Sequence, residues 1–305
     1  MNQNKIYTLN DYFKDTFQEK IYKVSLDGGF TCPNRDGKVA KGGCLFCSEA
    51  GSGDFAGNRM KSIEEQIEDQ LELISKKFPE GKVIAYFQNF TNTYGEVEYL
   101  RKVFYEALNH PRVMGLAIGT RPDCLPEDVL DLLSEINKKY FLWVELGLQT
   151  IDEGVAKIIN RGYNLGVYVS SAEKLRERNI KFVTHLIIGL PEERERGTLE
   201  AAKLVNSLGS WGIKIHLLHI LKNTALAKYY EKNPFKVFYM EEYIDYVVDI
   251  LEVLNSEMVI HRLTGDGKKE DLIEPLWSLN KRAVLNGIHK RIKERQTFQG
   301  RKANG

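Results

Sequence analysis

Three of the chain's four cysteines, Cys32, Cys44 and Cys47, fall in one short stretch, and Cys124 stands alone 77 residues later. Thiolates are soft ligands for zinc and for iron–sulfur clusters. Cys44-Leu45-Phe46-Cys47 makes one close pair, and Cys32 adds a third sulfur across eleven intervening residues. The stretch holds no histidine; the nearest is His110. Structural zinc takes four protein ligands, so zinc here would have to recruit Cys124 or a distant histidine, or else keep an open fourth position. A [4Fe–4S] cube held by three thiolates keeps one iron free for a small molecule, and the spacing favours that reading. Three clustered cysteines out of four make a poor disulfide framework and suit a reducing compartment.

Such a loop needs a scaffold. Apolar, β-rich runs at 21–26, 82–87, 114–119, 141–147, 181–188 and 213–218 alternate with helical patterns. Ser62 and Glu65 form a capping box ahead of Ile63, Ile67, Leu71 and Ile74 at helical spacing. Pro126 opens a second helix bearing Val129, Leu132, Leu133 and Ile136. About six strand–helix units predict an α/β fold with a parallel sheet, whose ligands gather at the carboxyl ends of the strands. The cysteine stretch begins just after the first of those ends. From about 222 onward the pattern changes to a long helix at 243–254, a short strand and Gly-rich turn at 259–267, and a helical stretch at 272–292. The expected division is 1–221 for the strand–helix region and 222–305 for an α-rich C-terminal extension.

Other polar residues fall at predicted strand ends. Gln88, Asn89, Thr91 and Asn92 follow the second strand, and Glu145 and Gln149 close the fourth. Glu145 alternates with Val144 and Leu146, so its carboxylate faces away from them and needs a partner, for which a ligand's amine or ribose is a natural choice. His216 and His219, three apart on a strand, should face opposite sides. His185 and His261 read as structural histidines or substrate contacts, and Cys124 as a small buried hydrophobe or an active-site thiol.

The formal net charge of +1 is unevenly spread: residues 281–305 carry eight Lys/Arg against Glu294 alone, a +7 tail on a −6 body. That asymmetry predicts either a polyanion partner or a solvated terminal helix. The start shows no basic segment followed by an apolar one, and no apolar run is long enough to span a bilayer, so the expectation is a soluble cytoplasmic protein with no membrane partner.

Taken together, these residues resemble the radical-SAM enzymes, in the branch that includes the elongator catalytic subunit and the coproporphyrinogen dehydrogenases, over roughly residues 20 to 265. The C-x11-C-x2-C spacing resembles the widened first gap of the elongator-like branch. The resemblance implies an incomplete (β/α)6 barrel, a [4Fe–4S] cluster on Cys32, Cys44 and Cys47, and S-adenosylmethionine (SAM) cleaved to a 5′-deoxyadenosyl radical with an electron from a flavodoxin- or ferredoxin-type partner. It implies SAM contacts from Phe46 at the adenine; from Gln88, Asn89 and Asn92, where the family usually has a glycine pair and an acid; from Glu145 and Gln149; from Arg161 of the NRG segment toward the SAM carboxylate; and from Gly189 of HLIIGLP. The segments HLLHILKNTALA (216–227) and VIHRLTGDG (259–267) resemble those of MnmL-type enzymes, which lack the acetyltransferase domain and act on the tRNA wobble uridine. A tRNA partner would give Lys290, Arg291 and Lys293 a role in RNA contact. The alternatives are a radical-SAM enzyme acting on a small metabolite or a protein, and a noncatalytic zinc-bound nucleic-acid-binding protein.

Overall fold

Each β-rich run alternates between a face that meets helices and a face that does not. In the fourth, Leu142, Val144, Leu146 and Leu148 join the main apolar core, while Trp143 joins a separate inner cluster. The computed structural model describes residues 6–48, 51, 56–265, 267 and 269–303. Its strands are β1 (Tyr22–Leu26), β2 (Val83–Phe87), β3 (Val113–Thr120), β4 (Phe141–Gln149), β5 (Lys181–Ile188), β6 (Gly212–Leu217), β7 (Ile220–Leu221), β8 (Val259–Arg262) and β9 (Leu272–Glu274). The helices are α1 (Leu9–Phe17), α2 (Ile63–Ile74), α3 (Val97–Leu108), α4 (Glu127–Asn137), α5 (Glu153–Ile158), α6 (Leu165–Glu177), α7 (Gly197–Ser207), α8 (Ala225–Lys232), α9 (Met240–Val253) and α10 (Lys281–Glu294).

Seven strands form one sheet in the order β1-β2-β3-β4-β5-β6-β8, all parallel. The sheet curls into a half-barrel with helices on its outer face, the α/β architecture expected, closed on one side by a helical C-terminal part. The strand count exceeds the six expected because Val259–Arg262, read as part of the extension, adds parallel to β6. Asp266, within the expected Gly-rich turn, lies outside the described residues. The capping box of α2 forms as its sequence dictates: Ser62 Oγ accepts from Glu65 N at 3.2 Å and Ser62 N donates to Glu65 Oε2 at 2.8 Å.

The expected helix over 272–292 is broken. Leu272–Glu274 pairs antiparallel with β7, and α10 begins only at Lys281. Pro275 accounts for this, since it lacks an N–H and bars the preceding residue from helical backbone. Among the described residues no helix is long and apolar enough to cross a membrane.

The inner face is layered from bottom to top. At the amino ends of the strands, Tyr12, Phe13 and Phe17 of α1 close the half-barrel against Phe141, Trp143 and Trp211, with Tyr12 and Trp211 meeting edge to face at 4.9 Å. His261 adds to this plug, its ring 5.7 Å from Trp143 and 5.1 Å from Trp211. Above the plug lies a polar layer, and above that a cavity at the carboxyl ends.

Candidate functional site: a cysteine-walled cavity at the carboxyl ends of the strands

The loop after β1 is folded by its own backbone and braced from the far side of the barrel. Arg35 N and Asp36 N both donate to Cys32 O, at 2.8 and 3.2 Å, and Cys47 N donates to Cys44 O at 3.0 Å. Leu45 N reaches Ile159 O at 3.0 Å, and Asn160 Nδ2 donates to Gly43 O at 2.8 Å. Asn34, wholly buried, donates to Asn160 O at 2.6 Å and toward Cys44 Sγ at 3.6 Å. Gly43 has φ +81° and sits against Arg35, whose guanidinium donates to Cys47 O and Ser48 O; a side chain at Gly43 would collide with it.

Cys32, Cys44 and Cys47 all line one cavity of about 280 Å³, and Phe46 lines it with them. The Cys47 thiol is held below its ordinary range by the hydrogen bond from Cys44 and, after burial opposes it, by Arg35 and Arg121. Cys124 does not line the cavity; burial pushes its thiol up to about 12, with Asp123 adding to the effect. Among the described residues no three His, Cys, Asp or Glu side chains converge on a point that would hold a single metal ion. A [4Fe–4S] cube takes one thiolate per iron at separate corners, and the three cysteines line one roomy cavity. Thr91 Oγ1 and His216 Nε2, both on residues of that cavity, are buried with no hydrogen-bond partner among the described residues. A polar ligand would satisfy such atoms, so the donor set fits a cluster with a polar co-ligand.

The other expected SAM contacts divide. Gln88, Glu145 and Gln149 line the cavity with Phe46. Gln149 ends β4 in left-handed backbone, φ +63°, and its Oε1 accepts from Tyr163 at 3.0 Å. Asn89 and Asn92 do not line it. Asn89 donates to Asp27 at 2.8 Å and Asn92 to Gly119 O at 2.7 Å, so both turn inward to hold the loop.

Arg161 is also not in the cavity wall. Its guanidinium is fully buried and donates to Tyr163 O at 2.9 Å, Leu148 O at 3.0 Å, Thr150 O at 2.6 Å and Glu153 at 3.3 Å. It serves carbonyls that diverge where β4 ends, which leaves its guanidinium turned to the backbone. The arginines that do line the cavity are Arg35, Arg121 and Arg262. Gly189 faces away too: with φ +90° it lies beside Phe238 and Leu218, in a separate small apolar hollow.

His216 and His219 both line the cavity, against the expectation of opposite faces, because β6 ends at Leu217 and His219 lies beyond the strand's alternation. The expected RNA contacts also separate. Lys290 and Lys293 are exposed, Lys290 standing 3.6 Å from Glu294. Arg291 instead pairs with Asp245 and with Glu241 at 2.8 Å on α9. Arg295 pairs with Asp245 and with Asp249 at 2.6 Å, and Lys302 with Glu252. Much of the tail's charge thus answers an acidic stripe within the chain.

The polar layer beneath the cavity is centred on Glu145. Its carboxylate accepts from Trp143 Nε1 at 3.0 Å and Tyr86 Oη at 2.7 Å, meets His185 Nε2 at 2.9 Å, and pairs with Lys214. Lys214 also donates to Tyr86 Oη at 2.9 Å. Burial raises the Glu145 carboxyl, but Lys214 and His185 outweigh it and keep the group well below the usual range. Burial brings Lys214 down to about 7, Glu145 only partly opposing it. Sequence reasoning missed Tyr86 and Lys214. The signal was present: a polar residue on the inward position of β2, β4, β5 and β6, with His185 directly opposite Lys214 in the register.

The fold and this cavity define a class, and comparison with known proteins names it. The profile of the Radical SAM superfamily matches residues 32–205, and that of the Radical_SAM C-terminal domain matches 210–294. The chain belongs to the Radical SAM superfamily, with Elp3-like similarity; [4Fe–4S] and SAM are the cofactors of that family. It is 48% identical to YtqA of Bacillus subtilis over 98% of this chain and 93% of that one, and 37% identical to YhcC of Escherichia coli over 87% and 85%. Elongator complex protein 3 of Drosophila melanogaster is 26% identical across 54% of this chain and 30% of its own. Among solved structures, Elp3 of Methanocaldococcus infernus with an N-terminal deletion superposes with a TM-score of 0.69 at 16% identity, over 92% of this chain. The present chain spans 64% of that structure, and the likeness is one of fold.

Proposed function

We propose that Cys32, Cys44 and Cys47 hold the [4Fe–4S] cluster, that Phe46, Gln88, Thr91 and Gln149 contact SAM beside it, and that the substrate is the wobble-uridine side chain of tRNA, converted from 5-carboxymethylaminomethyluridine to 5-aminomethyluridine. One observation carries the substrate reading. The two segments that resemble MnmL-type enzymes, 216–227 and 259–267, supply His216, His219, Leu221, Arg262 and Gly265 to the same cavity that the cysteines wall. An arginine and two imidazoles suit a carboxylate-bearing side chain.

When bound and supplied with an electron by a flavodoxin- or ferredoxin-type partner, the cluster and SAM provide a radical able to remove hydrogen from carbon. The side-chain CH2 between amine and carboxylate is a favourable target, since nitrogen donates to the resulting radical and the carboxylate withdraws. Loss of one more electron, which offsets the one supplied, and of the nitrogen's proton to water leaves an imine. Water then releases glyoxylate and leaves the aminomethyl group on the tRNA. The protein's task is to orient that carbon and exclude others, which a walled cavity accomplishes. The base must leave its stack to reach it, as a single-stranded anticodon allows. Exposed Lys290 and Lys293 remain candidates for phosphate contact.

The test is anaerobic turnover with SAM, reductant and tRNA carrying deuterium on that CH2. 5′-Deoxyadenosine should gain one deuterium as aminomethyluridine forms. Product with unlabelled 5′-deoxyadenosine, or no change in the tRNA, would overturn this reading in favour of another substrate class.

A further inference from the structure

We propose that His185 is the base that removes the proton from the substrate's secondary amine, so that hydrogen is taken from a carbon beside a neutral nitrogen; this rests on the carboxymethylamine reading above.

The geometry comes first. Glu145 has four donors around it and is held ionised, so it can only accept. His185 Nε2, 2.9 Å from Glu145 Oε2, must therefore carry the hydrogen of that bond. In the neutral ring this leaves Nδ1 as a bare acceptor. The ring lines the cavity, and 22% of the side chain is still accessible. A carboxylate, the imidazole it orients and a second ring nitrogen without a hydrogen are the parts of a general base with its positioning residue.

The chemistry requires such a group. A secondary amine of this kind is an ammonium at neutral pH, as a lysine is, with a pKa of about 10. An ammonium has no lone pair to stabilise a radical on the neighbouring carbon. The surroundings bring base and amine into range of each other. His185 is lowered by burial and then by Lys214, with Glu145 opposing. Lys214, an amine in the same layer, is brought to about 7 by burial. A substrate ammonium entering beside it meets the same desolvation and the same cations. The groups facing His185 or its carboxylate are Glu145 on β4, Tyr86 on β2, Lys23 on β1, Lys214 and His216 on β6, and His261 and Arg262 on β8.

The step is a proton transfer only. The substrate's N–H bond breaks, an N–H bond forms at Nδ1, and the imidazolium is held by Glu145. No electron moves. After imine hydrolysis the same proton returns to the departing amine.

The experiment uses the holoenzyme and His185→Gln, which keeps a donor for Glu145 and lacks a basic nitrogen. At pH 7 the variant should lose about 10²–10⁴-fold in deuterium transfer and product. The acid limb of its pH profile should move upward, with turnover recovering as the substrate amine ionises unaided. Iron content and SAM affinity report whether the variant is intact. Independently of turnover, ¹⁵N-histidine NMR of the wild-type holoenzyme should show His185 with Nε2 protonated and Nδ1 bare at pH 7. The opposite tautomer, or an imidazolium at pH 7, overturns the proposal even if the variant does not fold. So does a His185→Gln profile of unchanged shape while the wild type transfers deuterium. Absence of deuterium transfer in the wild type instead overturns the carboxymethylamine reading, and this proposal with it.

Discussion

Replacing Arg161 with alanine should unfold the protein sooner while leaving SAM affinity intact. The guanidinium donates to three backbone carbonyls, those of Leu148 and Thr150 in buried bonds and that of Tyr163 in a part-buried one, and to Glu153. Leu148 O keeps a second donor, Thr150 N at 2.8 Å, so its loss is partial. Thr150 O would be left buried without a donor, at about 1–3 kcal/mol, and the part-buried Tyr163 O would lose its bond at about 1 kcal/mol. The Glu153 carboxylate is 46% exposed and contributes little. The stacked face of Tyr163, whose centroid lies 4.9 Å from the guanidinium, adds up to about 1 kcal/mol. The whole comes to about 2–5 kcal/mol, a large share of the 5–15 kcal/mol that ordinary domains possess. With a urea m-value of about 3 kcal/mol/M, the unfolding midpoint should fall by roughly 1–2 M. Urea unfolding by circular dichroism measures the midpoint, and calorimetric titration of SAM into the folded, cluster-bearing variant measures affinity. An Arg161→Ala protein as stable as wild type but unable to bind SAM would refute the reasoning and return the guanidinium to the ligand.

Two further outcomes are expected. Alanine at Cys32, Cys44 or Cys47 should each remove most of the iron and all SAM cleavage, read by iron content and 5′-deoxyadenosine release, whereas Cys124→Ala should keep both. Burial would raise the Asp245 carboxyl, but Arg291 and Arg295 outweigh it and hold it below the usual range, so its contribution is full above the unfolded value of about 3.9 and lost as pH falls through the lower folded value. Asp245→Asn should therefore lower the urea midpoint at neutral pH, by about 1 kcal/mol in free energy, and flatten its decline in acid; an unchanged decline would exclude Asp245 as a source.

What the sequence disclosed and what it hid differ in physical kind. Strands and helices of the half-barrel follow from local periodicity, and six of the strands were legible within a residue or two at most ends. The last, Val259–Arg262, is four residues long with two polar members, and nothing local distinguishes it from a loop strand. Pairing with β6 decides its place, and pairing is nonlocal. That the three cysteines share one cavity at the carboxyl ends of the strands was legible, because they follow directly on the first strand and lie close in sequence. Arg161 was not, because a short motif says nothing of how β4 ends. Gln149 takes left-handed backbone there, and the divergent carbonyls around it need a donor. His216 and His219 depended on where β6 stops, and a strand end is poorly marked by composition. The basic tail had a readable counterpart that went unused: Glu241, Asp245, Asp249 and Glu252 recur at helical spacing along α9. A charge excess at one end of a chain is informative only after the opposite charges that fold against it are subtracted.

The outer edge of β8 is covered by the first described segment. Ile260 N donates to Tyr7 O at 2.8 Å, and Tyr7 N in turn donates to Gln299 Oε1 at 2.9 Å, across 292 positions of sequence. Gln299 Nε2 completes the clasp on Asn255 O and Met258 O, each at 2.8 Å. Strands β1 to β6 are neighbours in chain order, so a nascent polypeptide can add them one by one as it leaves the ribosome. The clasp cannot form until residue 299 has been made and released. For that interval the segment that covers β8 is held there without its brace, so the edge most able to template a neighbouring chain is guarded least firmly while the chain is still being made.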